Sequence, residues 1–324
     1  MSAEKGIGFI GAGDIFTYHA PGIRECAGVK SIGLFDTSPK RARAMAQQFG
    51  LEKFNSAEEL VSDPRIDAVL VLTPLETHFQ NVKLALEAGK HVLVEKPVGV
   101  TVAEIEQMKK LADERNLICM PGHNNIYHPA VEEMKRLIDK GELGQLSSVY
   151  ILYNIHHPEE VAEKYPGVIR QVGTHHAYTL LHLAGLPRSV QAMKQVQHYQ
   201  QYREEDIFMA NLEMENGALA HLEVSFTADD HSSDPWSLYV KVIGTEGSAR
   251  FSHNDWVVNK KGIVHSHTYV AYPQTIKNED AHFIACIKGK KQPLSTLDDA
   301  IAAQKIIEGI EQAIETSRTV TIDS

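Results

Sequence analysis

Cysteine is scarce in this 324-residue chain. Cys26, Cys119 and Cys286 are odd in number and far apart, a pattern that argues against a disulfide framework or a zinc site and predicts three reduced thiols. Long apolar runs are missing too. The longest, such as Ala68 to Leu72, are strand-sized, well below the roughly 18 residues of a membrane span, so no membrane helix is expected. Basic residues do not dominate: 32 Lys plus Arg stand against 42 Asp plus Glu, and the formal net charge of −10 argues against a nucleic-acid or anionic-membrane surface. A phosphate-bearing ligand would need a local site. With 43% hydrophobic and 23% charged residues, the chain also lacks the signature of disorder. No basic stretch leading into an apolar segment opens it, which predicts a protein that stays in the cytoplasm where it is made. Histidine, by contrast, is plentiful at 17 residues.

The length predicts two domains. Short apolar, β-branched runs at Gly6 to Ile10, Ser31 to Phe35, Ala68 to Leu72, His91 to Val94 and Leu117 to Met120 alternate with helix-period segments. This predicts a doubly wound parallel sheet of Rossmann type over residues 1–121. Thr101 and Glu104 make a capping box ahead of Ile105, Met108, Leu111 and Ala112, while Phe79, Val82 and Leu86 mark a helix that Gly89 ends. After Pro121 the texture changes, and residues 122–324 read as an α+β domain. A helix opens at Pro129, carries Val131, Met134 and Ile138, and stops at Gly141 and Gly144. Ile207 to Met214, then Asn216-Gly217, then alternating Ala218, Ala220, Leu222, Val224 and Phe226 predict a half-buried hairpin. Strands at Leu238 to Ile243, Ala249 to Phe251 and Trp256 to Val258, with helices at Asp280 to Ile287 and Leu297 to Ile314, complete an open, predominantly antiparallel sheet with helices on one side.

Gly11-Ala12-Gly13-Asp14-Ile15-Phe16 follows the first strand and leads into a helix, where glycines allow a tight turn and backbone N–H groups can meet a pyrophosphate. The sixth position is normally small. The Phe16 ring is therefore expected to point towards the nicotinamide side, or else to hold the helix further out. Asp36 lies 20 residues after Phe16, where a carboxylate accepts hydrogen bonds from the adenosine ribose and repels a 2′-phosphate, so NAD is favoured over NADP. Lys40, Arg41 and Arg43 just beyond are read as a solvated helix face.

Thr73-Pro74 ends the third strand and Glu95-Lys96-Pro97 the fourth, at the carboxyl edge where doubly wound sheets bind ligands. Further on, Gln171, His175, Tyr178 and His182 recur at helical spacing along Val172 to Leu183, a polar stripe expected to face a cleft, with Ala177, Leu180, Leu181 and Ala184 free to bury. Taken in order, the glycine turn, Thr73-Pro74 followed by His78, Glu95-Lys96-Pro97, the Asn124 to Pro129 segment, Gly173-Thr174-His175 and Ser317-Arg318-Thr319-Val320 resemble the Gfo/Idh/MocA family of NAD(P)-dependent sugar and cyclitol oxidoreductases.

The resemblance implies that Lys96 reaches the substrate hydroxyl and the cofactor, that the Lys96–Pro97 peptide is cis, and that His175 is a general acid/base. A pKa near 6.5 suits such a histidine to that work. It further implies cofactor contacts from Gly11, Gly13, Asp14, Ile15, Phe16, Asp36, Thr73, Pro74, His78, Glu95 and Lys96. Gln171, Asn124, Tyr178, Tyr127 and His157 are expected to line a carbohydrate or cyclitol site, and the protein to be a homodimer or homotetramer. The remaining histidines, His123, His156, His176 and His182 among them, are expected to be structural, and no metal is expected. In three places the chain departs from the family pattern: Gln171 and Tyr178 replace aspartates, and Ile126 replaces an arginine. These losses keep two alternatives open, a redox-assisted elimination that regenerates NAD and a non-catalytic dinucleotide sensor.

Overall fold

The computed structural model of the chain describes residues 4–226, 236–252 and 268–322. Strands and helices alternate first: β1 (Lys5–Ile10), α1 (Phe16–Glu25), β2 (Val29–Phe35), α2 (Pro39–Phe49), β3 (Glu52–Lys53), α3 (Ala57–Ser62), β4 (Ala68–Val71), α4 (His78–Glu87), β5 (His91–Glu95), α5 (Val102–Glu114) and β6 (Cys119–Gly122). The strands pair in parallel in the order β3-β2-β1-β4-β5-β6. The chain thus winds outward from β1 to one edge and restarts at β4 on the other side, which puts the switch point between β1 and β4. Every residue of β4 is buried, as a parallel sheet covered on both faces requires.

Local chemistry explains the helix ends. Ser38 Oγ accepts from Arg41 N, with Pro39 at the first helical position of α2. At α5, Thr101 Oγ1 accepts from Glu104 N at 3.3 Å, and the Glu104 carboxylate turns back to Val100 N at 2.8 Å, one residue earlier than the usual box. Strand β6 runs from Cys119 to Gly122, later than predicted, because its pairing continues to the end of β5, as far as Glu95 opposite Gly122.

The later elements are α6 (Pro129–Asp139), β7 (Leu146–Ile155), α7 (Glu159–Ala162), α8 (Thr174–Ala184), β8 (Pro187–Gln195), β9 (Ile207–Met214), β10 (Leu219–Ser225), β11 (Trp236–Gly244), β12 (Ser248–Ser252), α9 (Thr268–Ile287), α10 (Leu297–Thr316) and β13 (Val320–Thr321). Their sheet runs β12-β11-β7-β10-β9-β8-β13, antiparallel except for the β7–β10 pair. The β9–β10 hairpin turns at Asn216-Gly217, where Gly217 has φ +85°. Phe208, Ala210, Leu212, Ala220, Leu222 and Val224 point inward, whereas Met193, Met209 and Leu219 are exposed. The strand expected at Trp256 to Val258 lies outside the described residues.

Two compact units result: Met1–Asn124 with Pro273–Ile301, and Asn125–Tyr272 with Ala302–Ser324. The sequence places a single boundary at residue 121; in the structure the chain returns to the first unit through residues 273–301. The reason is packing. Phe283, Ile284 and Ile287 bury with Ile7, Phe9, Phe16 and Leu34 on one side of the parallel sheet, and Leu297 and Ala300 bury with Val69, Val71 and Val92 on the other. Helical periodicity announces an apolar face but not the core that will receive it.

Candidate active site

In the first unit the turn after β1 is built for close approach. Gly11 has φ +96°, and a Cβ there would lie 2.5 Å from the Leu72 carbonyl oxygen, so the chain can cross the end of β4 only with glycine. Around Gly13 nothing lies within 4 Å of a would-be Cβ, which leaves open space over the turn that precedes α1. This is a cradle a dinucleotide pyrophosphate fits. Asp14 is exposed and Ile15 half-buried at its rim. The Phe16 ring does not point into open space: it is fully buried, edge-to-face with Phe9 and Phe49 at 5.2 Å, and its backbone N–H donates to Gly13 O. The ring packs with Phe9 and Phe49, so the Phe16 side chain belongs to the core of the first unit.

Asp36 stands at the end of β2, 8% exposed, with Oδ2 accepting from Ala12 N at 2.9 Å and Oδ1 from Ser38 N at 2.8 Å. It ties the glycine turn to the strand beside it. Each oxygen keeps a second lone pair for a ribose hydroxyl. Lys40, Arg41 and Arg43 lie exposed on α2 as expected, although Arg41 Nη1 comes within 3.7 Å of Asp36 Oδ2.

At the ends of β4 and β5 the Thr73 hydroxyl is buried with no hydrogen-bond partner, an acceptor-donor waiting for a polar group, and Pro74 is exposed. His78 is a tie between two turns. Its Nδ1 faces the Pro97 carbonyl at 2.8 Å and its Nε2 the Thr73 carbonyl at 2.7 Å, and burial pulls its pKa below the ordinary value. The ring therefore clamps the Thr73 turn to the Lys96–Pro97 turn, whose peptide is cis as the resemblance implied.

Glu95 is likewise fully engaged: Oε2 accepts from Lys96 N at 3.0 Å, and Oε1 lies 3.0 Å from His19 Nε2. Lys96 is half-buried, and burial draws its ammonium below its usual pKa against the pull of Glu95. That moves the lysine towards proton exchange.

Sequence reasoning missed the cluster behind Glu95. His19, fully buried on α1, also holds Asp280 Oδ1 at 2.7 Å, and Glu279 lies beside them with neither carboxylate oxygen hydrogen-bonded. Gly22 makes room for this, since a Cβ there would sit 2.2 Å from Asp280 Oδ2. Burial opposes a charge on His19, but Asp280 and Glu95 outweigh it and hold its pKa well above normal. For Glu95, burial is outweighed by His19, which keeps its pKa low, while burial and the Glu95 charge push Glu279 well above the carboxylate range. Donor atoms of His19, Glu95 and Glu279 lie within 4.8 Å of one another, a spacing a cation could occupy. An imidazolium at His19 and a proton on Glu279 also reduce the cluster's negative charge, which Glu95 and Asp280 then carry. No sequence signal could have joined residues 261 positions apart.

In the second unit the predicted continuous helix is interrupted. Ile169–Gly173 forms a π turn and α8 begins at Thr174, so Gln171, half-buried, precedes the regular helix instead of sharing its face. Thr174 Oγ1 returns to Arg170 O at 2.8 Å across this turn, and such wide turns re-aim side chains at functional sites. His175 and Tyr178 do meet: Nδ1 of His175 lies 2.5 Å from the Tyr178 hydroxyl, which also accepts from Asn125 N at 3.2 Å.

Of the other predicted residues, Asn124, in the first unit, donates from Nδ2 to Thr275 Oγ1 at 2.8 Å, and Tyr127 and Ile126 are buried in the second unit's hydrophobic core. His157 packs against Tyr165 and Phe226, with its pKa pulled down to about 4 by burial and by His156. His123 bonds Ser295 and His176 bonds Glu223 O, both depressed by burial, to about 3 and about 4. The three cysteines are free thiols.

Comparison with known proteins gives two family matches: an oxidoreductase family with an NAD-binding Rossmann fold over residues 5–123, and a GFO/IDH/MocA C-terminal domain over residues 131–250. The chain is 28% identical over 309 residues to the NAD(+)-dependent scyllo-inositol 2-dehydrogenase of Bacillus subtilis, covering 90% of this chain and 88% of that one. It is 27% identical to the 1,5-anhydro-D-fructose reductase of Ensifer adhaerens, covering 98% of both. Among solved structures, scyllo-inositol dehydrogenase from Lactobacillus casei with NAD(H) and scyllo-inositol superposes with a TM-score of 0.86 at 20% identity over 99% of each chain, a likeness of fold.

Proposed function

Since the chain belongs to the Gfo/Idh/MocA family and is an NAD(P)-dependent dehydrogenase, we propose that it moves hydride between NAD and a secondary hydroxyl of a cyclitol or related sugar, with Lys96 and His175 handling the hydroxyl proton. The observation that carries this reading is Lys96 itself: a half-buried ammonium at the end of β5, drawn down by burial and steadied by Glu95. A cation so placed lowers the pKa of a substrate hydroxyl and holds its oxygen while the carbon is oxidised. His175 exchanges the proton. The nicotinamide supplies the hydride acceptor when bound. Gly11 and Gly13 leave the room for its pyrophosphate, and Thr73 a free hydroxyl.

The cyclitol class is favoured by relatives whose names specify inositols: the scyllo-inositol enzyme already described, a second one from Bacillus subtilis that uses NADP(+), and a myo-inositol 2-dehydrogenase of Thermotoga maritima. Gln171, half-buried in the π turn, is assigned to substrate hydroxyls, for which a neutral amide is an adequate partner. The preference for NAD rests on the Asp36 carboxylate, which would repel a 2′-phosphate. We also infer that the protein works in the cytoplasm as a homo-oligomer, a reading supported by the exposed Met193, Met209 and Leu219 on the outer face of the second sheet.

The test is a panel of inositols, sugars, sugar phosphates and sugar acids screened for NADH absorbance. On the best substrate, Lys96→Met and His175→Asn are each expected to lower kcat by about 10²–10⁴-fold with NAD binding retained. Near-normal turnover in both variants refutes the assigned roles.

A further inference from the structure

The helical segment that carries Gln171 and His175 begins with no side-chain cap of its own. Val168 heads the π turn Ile169–Gly173, and an apolar side chain there accepts nothing from the first N–H groups. The acceptors come from a residue 36 positions beyond Ile169. Glu205, 5% exposed, lies between β8 and β9. Its backbone carbonyl accepts from Val168 N at 3.2 Å and its Oε1 from Ile169 N at 3.2 Å, so one residue takes two successive N–H groups at the mouth of the turn. Its Oε2 meets Lys194 Nζ at 3.2 Å. A carboxylate at a helix N-terminus also sits at the favourable end of the helix dipole.

The chain is shaped to admit this carboxylate. Gly167 has φ +91°, and a Cβ there would lie 2.1 Å from Glu205 Oε1, so only glycine lets the backbone wrap around it. Gly167 N donates to the Tyr202 hydroxyl at 2.8 Å, which donates in turn to Tyr165 O at 2.9 Å. The N–H groups of Gly167, Val168 and Ile169 are thus all held by Tyr202 and Glu205.

This hold bears on the site because of what a wide turn does. A π turn takes one residue more than an α turn, and each residue turns a helix by about 100°, so a relaxation of Ile169–Gly173 to α register would swing Gln171 around the axis relative to His175. An entry pinned at three successive N–H groups cannot slide by one residue without breaking them. We propose that Glu205 is a positioning residue that holds the π turn in register and so aims Gln171 at the substrate. The proposal rests on the reading of Gln171 as a partner of substrate hydroxyls, and adds the residue that fixes its place.

The test starts from the unmodified protein. Hydrogen–deuterium exchange resolved to single amides by mass spectrometry is expected to show the Ile169 N–H protected about 10²-fold or more, although first-turn amides ordinarily exchange freely. A fast-exchanging Ile169 overturns the proposal even if no variant folds. Glu205→Ala is expected to lose this protection and to raise KM for the best substrate about tenfold, with kcat within about twofold and the Kd for NADH unchanged. KM is the informative constant, since a loss of folded protein lowers kcat alone. Glu205→Gln keeps an oxygen that accepts from Ile169 N, and is expected to restore both protection and KM. Unchanged exchange in Glu205→Ala overturns the proposal, and so does a Glu205→Gln protein that behaves like Glu205→Ala. Lost protection with an unchanged KM upholds the hold on the turn and refutes instead the assignment of Gln171 to the substrate.

Discussion

Replacing Glu279 with Gln should make the protein more resistant to alkaline pH. Glu279 is fully buried, neither carboxylate oxygen has a hydrogen-bond partner, and it lies beside Glu95 and the His19–Asp280 pair. Burial, reinforced by the Glu95 charge, raises its pKa well above the ordinary 4.5. In the unfolded chain the same group ionises near that ordinary value, so above pH 4.5 the folded protein holds a proton that the unfolded chain has released. A group raised in the folded state contributes stability that is fully present below its unfolded pKa and is lost as pH rises through the folded one. Over that window, stability falls by about 1.4 kcal/mol for each pH unit and each proton retained.

Gln is of equal length and carries no charge at any pH, so in Glu279→Gln this slope vanishes. His19 adds a loss of the same sign above its own ordinary value of 6.5, but it does so in both proteins and largely cancels in the comparison. The assay is the melting temperature of both proteins by differential scanning fluorimetry in half-unit steps from pH 5 to pH 9. The gap in favour of Glu279→Gln should widen with pH, at roughly 2 °C per kcal/mol for a chain of this size. Parallel curves would refute the reasoning, because they would mean that Glu279 ionises alike in both states.

Two further changes test the cofactor cradle. Gly11→Val sets a branched side chain at φ +96° with its Cβ 2.5 Å from the Leu72 oxygen, and should cost about 1–3 kcal/mol in thermal or urea unfolding as well as NADH binding by fluorescence. Asp36→Ser removes the acceptor of Ala12 N and the carboxylate near Arg41; the Kd for NADH should rise about tenfold, or ~1.4 kcal/mol, and the gap to NADPH should narrow. An unmodified protein that prefers NADPH tenfold would refute the assignment of Asp36.

Much of the fold could be read from the residues because local signals and burial agree. The parallel strands are apolar runs, Thr101 and Glu104 cap α5, and Asn216-Gly217 turns the β9–β10 hairpin. Of the site, the glycine turn, Asp36, Lys96 and the His175–Tyr178 pair stand where spacing suggests. What escaped has a physical cause in each case. The π turn before α8 inserts an extra residue into a helical period without changing composition, and Phe16 found a pocket made by Phe9 and Phe49, which only the packed structure supplies. Both nitrogens of His78 face backbone carbonyls, partners that are invisible in a sequence.

The return of residues 273–301 to the first unit separates the order in which the protein is made from the order in which it can be finished. When residue 124 leaves the ribosome, every strand of the parallel sheet exists, but Phe283, Ile284, Ile287, Leu297 and Ala300 do not, and His19 lacks Asp280. All the strands from β7 to β12 must be synthesised before the cofactor unit can close. A chain cut at residue 124 is therefore not a portable dinucleotide-binding module. It is a sheet with two uncovered apolar patches and a buried-type histidine open to water.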